Sequence, residues 1–257
     1  ALCDRHGIVL IFDEMLTGFR PHLRGAQGVF GVRADLATYG KVLGGGYPIG
    51  AIAGRADIMD WVDGGFWQYG DDSAPPQETT FFGGTYLQHP VSMVAAKAVL
   101  THLRDEGPGL QERLNARTAG LAATLDDFFT AEGYPLRVLH FGSLFRFAST
   151  ASLDLFFHHL LLAGVHVWEW RNFFLSTAHS DADIAFVADA VKGSLGELRA
   201  GGFFPPATQP RSAPFRPAAP TTQSRPASVR DAAPTAQPGP ATSLSATLPS
   251  FGSAPRA

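Results

Sequence analysis

Lys41 and Asp13 are the two residues whose types and settings most directly suggest chemistry. Lys41 is one of three lysines, with Lys97 and Lys192, and it follows the first glycine of the glycine-rich run at residues 40–50. Asp13 lies 28 residues earlier, directly after an apolar run. A lone amine in a glycine-rich loop and a carboxylate at a strand end suit Schiff-base chemistry, because an amine attacks a carbonyl once its environment favours the deprotonated form.

The apolar run before Asp13 decides where that carboxylate lies. Residues 8–12 read Ile-Val-Leu-Ile-Phe, which predicts a strand buried on both faces of a parallel α/β sheet. Asp13 would then lie at the carboxyl end of the strand, where open α/β sheets bind their ligands. A solvated turn that begins at Asp13 and Glu14 is the alternative that the strand alone leaves open.

The order of residues in the glycine-rich run excludes two common phosphate loops. A P-loop carries its lysine after the glycines and follows it with Ser or Thr, whereas Lys41 precedes most of the glycines and Val42 follows it. No G-x-G-x-x-G spacing fits residues 44–50. The sequence therefore suggests neither ATP nor a dinucleotide.

Ordered motifs extend far beyond this loop. They read LIFDEMLTGFR at residues 10–20, GAQGVFGV at 25–32, DL at 35–36, GKVLGGGYPIG at 40–50, GR at 54–55, IM at 58–59, FGGT at 82–85, HP at 89–90 and FFLSTAHSDADI at 173–184. In this order and spacing the sequence resembles the class III aminotransferases over roughly residues 1–200. These are pyridoxal-phosphate enzymes of fold type I. The resemblance implies an α/β fold, with part of a large domain built on a mainly parallel sheet and a small α+β C-terminal domain.

The same resemblance assigns roles to five residues. No metal is expected, because His158 and His159 lack Cys, Asp or Glu partners at metal-ligand spacing. Lys41 would form the Schiff base with the cofactor aldehyde, and Asp13 would pair with the pyridine nitrogen. Met15 would pack on the ring face, where the family more often has a branched aliphatic residue; a thioether suits such a contact. Gly84 and Thr85 would hold the cofactor phosphate, with Thr85 serving the other subunit of a homodimer. A plain turn before a helix is the alternative for these last two residues.

Two further segments indicate which branch of the family the sequence resembles, and therefore which reaction is implied. Leu16 stands where the ornithine and GABA branch usually has glutamine, and residues 17–20 are closer to the glutamate-1-semialdehyde aminomutase branch. Residues 164–176 are similar to aminotransferase domains of polyketide and nonribosomal peptide synthases. The implied activity moves an amino group from an amino-acid donor to a carbonyl acceptor, with Lys41 also transferring the substrate proton. The acceptor could be a β-keto acyl chain on an acyl carrier protein.

Three alternatives stay open at this point. The reaction could be an intramolecular 2,1-aminomutase reaction, or the chain could be an inactive truncated fragment. Arg146 could receive a substrate carboxylate as a bidentate partner, or it could be a surface arginine of an edge strand.

The composition of the chain argues against several other classes of protein. The formal net charge is −3, with 45% hydrophobic and 17% charged residues, which gives no electrostatic case for nucleic acid or an acidic membrane. No apolar run approaches the roughly 20 residues of a membrane helix. The single cysteine, Cys3, excludes an internal disulfide and favours a cytoplasmic location.

The chain divides into three predicted parts. Residues 1–106 would be the C-terminal part of the cofactor-binding large domain, and residues 107–202 the small domain. Residues 203–257 hold 12 of the 19 prolines and predict a disordered linker. Because a strand buried on both faces needs neighbours, we expect the chain to be the C-terminal portion of a longer polypeptide.

Periodicity and turn signals predict the other elements. Helices are expected at residues 90–104, 110–132, 153–162 and 181–199, with Ser180 as the N-cap of the last. Strands are expected at residues 137–141, 144–147 and 165–168.

Overall fold

The computed structural model of the chain describes residues 2–65, 67–68, 70–75 and 79–204. The helices are α1 (Leu2–His6), α2 (Gly25–Phe30), α3 (Ala56–Asp63), α4 (Pro90–Glu106), α5 (Gly109–Glu132), α6 (Asp154–Leu162) and α7 (Asp181–Ala200). The strands are β1 (Ile11–Asp13), β2 (Leu36–Tyr39), β3 (Ala51–Gly54), β4 (Leu136–Phe141), β5 (Leu144–Ser149) and β6 (Phe173–Phe174). A 3₁₀ helix covers Lys41–Gly44.

The first sheet has the order β1-β2-β3 and is mixed rather than mainly parallel. β1 and β2 run parallel, with Asp13 opposite Thr38. β2 and β3 run antiparallel, with Tyr39 opposite Ala51. The α/β class is confirmed, and the parallel pair is the part of this sheet that brings two carboxyl strand ends to one edge.

The predicted burial of residues 8–12 on both faces is wrong within the described residues. The strand is short and begins at Ile11, and the side chains of Ile8, Val9 and Ile11 are exposed. β1 is an edge strand with β2 as its neighbour on one side, so the first sheet does not cover its other side. An apolar run of this kind predicts a strand from its residue types, but burial depends on what packs against it.

Asp35 binds Leu10, the residue directly before β1. The Leu10 N–H donates to Asp35 Oδ2 at 2.8 Å, and Arg55 Nη1 donates to Asp35 Oδ1 at 2.9 Å. These donors lower the pKa of Asp35, and the Leu10 N–H has the largest effect. The Asp35 side chain thus binds the Leu10 N–H, while the Leu10 carbonyl accepts backbone hydrogen bonds from the Asp35 and Leu36 N–H groups at 2.9 and 3.2 Å.

Local signals predicted the longer helices well. The expected helix at residues 110–132 is α5, and Gly133 ends it in the left-handed conformation with φ +69°, which glycine adopts without the steric cost of a Cβ. α7 begins after Ser180 as predicted. Ser180 Oγ accepts a hydrogen bond from the Asp183 N–H at 3.2 Å, and the Asp183 carboxylate accepts one from the Ser180 N–H at 2.7 Å. This reciprocal capping explains the sharp start of the helix.

The predicted strand at residues 165–168 is wrong. These residues form no ladder, and the third strand of the second sheet, which has the order β4-β5-β6, is Phe173–Phe174. Phe173 lies opposite Phe145 on β5. Val165 and Val167 are partly buried against the core, so their alternation reflects packing without strand pairing.

The main core lies where the second sheet packs against α5, α6 and α7. Phe156 lies edge-to-face on Phe147, with ring centroids 5.2 Å apart. Burying one such side chain contributes about 1.5–3 kcal/mol. The fully buried side chains of this cluster include Leu125, Phe129, Leu153, Phe156, Phe157, Leu160, Val191 and Leu195.

The predicted domain limits stay predictions. The boundary at residues 106 and 107 falls between α4 and α5 and stays a prediction. Phe204 is buried with its ring 5.5 Å from that of Tyr134, so packed residues extend past the predicted end of the small domain at residue 202. The rest of the predicted linker, residues 205–257, lies outside the described residues.

None of the helices in this described part of the chain combines the length and the apolar composition that crossing a bilayer requires.

Candidate active site

The parallel pair of strands brings Asp13 and Lys41 to one edge of the first sheet. Asp13 is the last residue of β1 and lies opposite Thr38 on β2. β2 ends one residue later, and Gly40 and Lys41 follow directly. The carboxyl ends of parallel strands meet at the same edge, which is where open α/β sheets bind ligands. The structure therefore brings the two predicted residues together.

The two oxygens of the Asp13 carboxylate have different surroundings. Its Oδ1 accepts a hydrogen bond from the Met15 N–H at 3.0 Å and one from the Thr38 hydroxyl at 3.3 Å. No hydrogen bond from a described residue occupies Oδ2, and the side chain is exposed. The first oxygen fixes the orientation of the carboxylate, and the second is available to a ligand.

Lys41 begins the 3₁₀ helix in a conformation that few non-glycine residues adopt. Its φ is +49°, and its side chain is exposed. A backbone in this region costs about 1–3 kcal/mol and persists where the surrounding structure imposes it. α4 supplies part of that support, because a Cβ at Gly45 would lie 2.8 Å from Val99 Cγ2. The turn that carries the amine is therefore held against a long helix.

Met15 lies against the backbone of the lysine turn. A Cβ placed on Gly40 would come within 2.5 Å of Met15 Cε and 3.1 Å of Met15 Sδ. A side chain at residue 40 would therefore displace the end of the Met15 side chain from this contact. The contact places Met15 beside Asp13 and Lys41, and its predicted packing on a cofactor ring stays a prediction.

Glu14 is a residue whose role the sequence did not reveal. It is 1% exposed, and its carboxylate accepts hydrogen bonds from the Ala26 N–H at 3.0 Å, the Gln27 N–H at 2.9 Å and the Thr17 hydroxyl. The first two are the free N–H groups at the start of α2, which a carboxylate stabilises. Glu14 thus anchors the segment that follows Asp13 and Met15. The one sequence signal was an acidic residue beside Asp13 with a threonine three positions later.

We predict that Glu14→Gln destabilises the protein by about 1.5–3 kcal/mol, the usual contribution of hydrogen bonds to a charged group. Both oxygens of Glu14 accept N–H donors, so an amide would point its own N–H₂ at one of them. Urea unfolding monitored by circular dichroism measures the change. Glu112→Gln, at an exposed position on α5, is the matched control. An unfolding free energy equal to that of the wild type would contradict the anchoring role.

Gly84 and Thr85 lie apart from this cluster in the described structure. Both are exposed, and the Leu87 N–H donates to the Gly84 carbonyl at 3.2 Å in the turn before α4. Among the described residues, no hydrogen bond links Thr85 to Asp13 or Lys41. Their role in binding phosphate stays a prediction. Large exposed side chains flank them: Phe81 is 93% exposed, Tyr86 81% and Phe82 57%.

Metal ligands are not clustered in the described part of the chain. No group of three or more His, Cys, Asp or Glu side chains there is placed to hold an ion. The chemistry available at the sheet edge is therefore that of an amine, a carboxylate and a thioether.

Comparisons with known proteins agree with this geometry. The family model described as aminotransferase class-III matches residues 1–178. The chain is 36% identical over 214 residues to a glutamate-1-semialdehyde 2,1-aminomutase of Anaeromyxobacter sp. (strain Fw109-5), a match that covers 77% of this chain and 46% of the relative. The chain thus spans about half the length of the curated relatives it matches.

Solved structures show the same fold. An ω-transaminase from Sphaerobacter thermophilus is 29% identical with a TM-score of 0.66, over 77% of this chain and 46% of the other. A transaminase with pyridoxal phosphate bound is 30% identical with a TM-score of 0.67, over 78% and 46%. The predicted fold type and family are confirmed, and so is pyridoxal phosphate as the cofactor of the family.

Proposed function

The chain belongs to the class-III aminotransferase family, and we propose that it supplies the lysine and aspartate of a pyridoxal-phosphate site that moves an amino group from an amino-acid donor to a carbonyl acceptor. The observation that carries this proposal is the sheet edge shared by Asp13 and Lys41, where Asp13 lies opposite Thr38 and Lys41 follows three residues later. The contact between Met15 and Gly40 supports it, because it places an apolar side chain against the residue that precedes Lys41.

The residues present fit the cofactor. The free Oδ2 of Asp13 would hold the proton of the pyridine nitrogen, while Met15 N–H and the Thr38 hydroxyl keep Oδ1 oriented. Lys41 Nζ would bind the cofactor aldehyde and, once released, would take the proton from the substrate Cα and deliver it to the former aldehyde carbon of the cofactor, on the other side of the transferred nitrogen. Pyridoxal phosphate, when bound, supplies an electron sink for the carbanion that forms at that carbon.

An intermolecular aminotransferase and a 2,1-aminomutase differ in their need for a second substrate. The curated relative at 36% identity is named an aminomutase, and the two solved structures described above are named transaminases. We propose the transaminase reaction as the main function, with the aminomutase reaction as the second candidate.

The two reactions can be distinguished by measuring which products form and in what ratio. With pyridoxal phosphate, a panel of amino-acid donors and a panel of keto acids, a transaminase forms one keto product for each aminated acceptor. An aminomutase converts a single amino carbonyl substrate to its isomer without a second acceptor. A fragment without activity, the third alternative, forms neither product with any substrate of the panels.

A carrier-bound β-keto acyl acceptor is a finer proposal that rests on residues 164–176 alone. In that segment Trp168 is exposed, and Arg171 stacks over its ring at 4.9 Å. We expect a β-keto acyl thioester on an acyl carrier protein to be aminated faster than the free β-keto acid. Equal rates would remove the carrier protein as a partner. A cytoplasmic location likewise stays a prediction.

A homodimer in which Thr85 serves the partner's site is also part of this proposal. Thr85 lies in an exposed turn between Phe82 and Tyr86, whose rings face solvent in the single chain. Exposed aromatic side chains in one contiguous stretch are typical of protein interfaces. A second subunit that covers them would bring its own Lys41 site to Thr85.

Subunit mixing tests the exchange of Thr85. Lys41→Ala and Thr85→Ala are each expected to bind pyridoxal phosphate more weakly than the wild type. A mixed dimer has one site with both substitutions and one site with neither. Half of the dimers in a random one-to-one mixture are mixed, so mixing should restore about a quarter of the wild-type binding. If Thr85 acts within its own subunit, every site in the mixture keeps one substitution and binding is not restored.

A further inference from the structure

A second concave site lies beside the lysine turn. It has a volume of about 440 Å³, within the range of small-molecule pockets. Its walls are mostly apolar and come from the lysine turn, α4, α5 and the chain around β6; they include Val42, Val99, Leu103, Leu114 and Leu175. Neither Asp13 nor Lys41 lines it, so it is separate from the residues that would hold the cofactor.

Arg20 is the fixed positive charge in this cavity. Its guanidinium carbon lies 4.1 Å from the ring centroid of Phe174, so one face is stacked on an aromatic ring. Its Nε is buried and has no hydrogen-bond partner among the described residues, and no ion pair there involves it. Burial lowers the pKa of Arg20, yet an arginine remains charged at neutral pH. A partly buried cation with no ion-pair partner among the described residues favours a bound anion.

The backbone around Arg20 is held in place by α5. Gln111 Nε2 donates to the Phe19 carbonyl at 3.1 Å, and Asn115 Nδ2 donates to the Pro21 carbonyl at 2.9 Å. The two amides lie one turn apart on the helix and fix the residues on both sides of Arg20. The guanidinium is thereby attached to a rigid part of the structure, which lowers the entropy cost of binding a ligand.

The other polar groups of the cavity suit the same ligand. His102, Ser143, Ser176 and Thr177 line it, and hydroxyls and an imidazole N–H can donate to an anion. None of the described lining residues is acidic. A planar guanidinium matches a carboxylate, and the leucine and valine walls match an alkyl or aryl tail better than they match a hydrated phosphate.

We propose that this cavity binds an organic carboxylate with an apolar tail, whose carboxylate pairs with Arg20. The site goes beyond the amine transfer proposed above, because it needs neither the cofactor nor Lys41. It also differs from Arg146, the arginine that the sequence suggested for a carboxylate, which lies exposed on β5.

Calorimetric titration of the protein without cofactor tests the pairing through a matched pair of ligands. Hexanoate and 1-hexanol share the tail and differ in the charge. Hexanoate is expected to bind at least about tenfold more tightly, since a hydrogen-bonded charge contributes more than a neutral group. Equal affinities, or no binding of hexanoate, would overturn the proposal.

Variants then locate the site. Arg20→Met should lower the affinity for hexanoate to that for hexanol, while Arg146→Met should leave both unchanged. Ala98→Phe fills the cavity from an exposed position on α4 and should abolish binding of both ligands. This variant locates the binding site even if Arg20→Met does not fold. Unchanged hexanoate binding in Ala98→Phe or in a folded Arg20→Met would contradict the assignment.

Lys41→Ala separates this site from the cofactor site. Hexanoate should bind this variant as it binds the wild type, since the amine does not line the cavity. Loss of hexanoate binding in Lys41→Ala would mean that the carboxylate pairs with the lysine, and the proposal would fail while the function proposed for Lys41 would stand.

Discussion

Lys41→Ala is expected to slow amine transfer by about 10²–10⁴-fold, the usual effect of removing a positioned general acid and base. The amine at this position would both bind the cofactor and move the substrate proton, and neither role passes to another lysine. Lys97 lies exposed on α4, and Lys192 lies on α7 over the Phe128 ring. Initial rates of keto-product formation with pyridoxal phosphate and an amino-acid donor measure the effect.

Lys97→Ala is the matched control, because it removes an exposed amine from the same part of the chain. Its rate should equal that of the wild type. A Lys41→Ala variant that keeps the wild-type rate would show that the reaction, if present, uses a different amine.

Phe156→Ala is expected to destabilise the protein by about 3–5 kcal/mol, the usual cost of truncating a fully buried phenylalanine. Its side chain is 1% exposed and contacts the rings of Phe147 and Phe157, with centroids 5.2 and 5.5 Å away. The substitution removes these contacts and leaves a cavity between α6 and the second sheet. Chemical denaturation monitored by circular dichroism measures the change in the free energy of unfolding.

Phe186→Ala on α7 provides the comparison, since Phe186 is 51% exposed. It should change the stability by no more than about 0.5 kcal/mol. Similar losses for both variants would mean that the core does not centre on Phe156.

The sequence predicted those elements whose signals are local. α5 ends at a glycine and α7 begins at a serine with an aspartate three residues later, and both signals act within one turn of the chain. Such elements depend little on partners that are remote in sequence.

Strands and burial depended on remote partners and were predicted less well. Val165 and Val167 alternate as in a strand, yet the ladder forms at Phe173 because that segment lies beside β5. Residues 8–12 have the composition of a buried strand, but β2 pairs with one side of it only. Alternation and apolarity show which residues can pack and leave open what they pack against.

The same difference between local and remote signals applies to the residues of the candidate site. Asp13 and Lys41 were singled out from type, order and spacing, and their roles at a cofactor site stay predictions. The roles of Glu14 and Arg20 were not predictable, because one depends on α2 folding back onto the carboxylate and the other on Phe174, which lies far along the chain. For Met15, a position near Asp13 was expected from the sequence. Its contact with Gly40 was visible only in the structure.

Covalent trapping of the cofactor tests the central claim most directly, because the chain has three lysines that compete within one experiment. The protein is incubated with pyridoxal phosphate and reduced with borohydride, and the cofactor mass on each lysine is then measured by peptide mapping. Lys41 should carry most of the label, and Asp13→Asn should reduce its share. Labelling of exposed Lys97 to the same extent as Lys41, unchanged by Asp13→Asn, would contradict the assignment of Lys41 and Asp13 to a cofactor site.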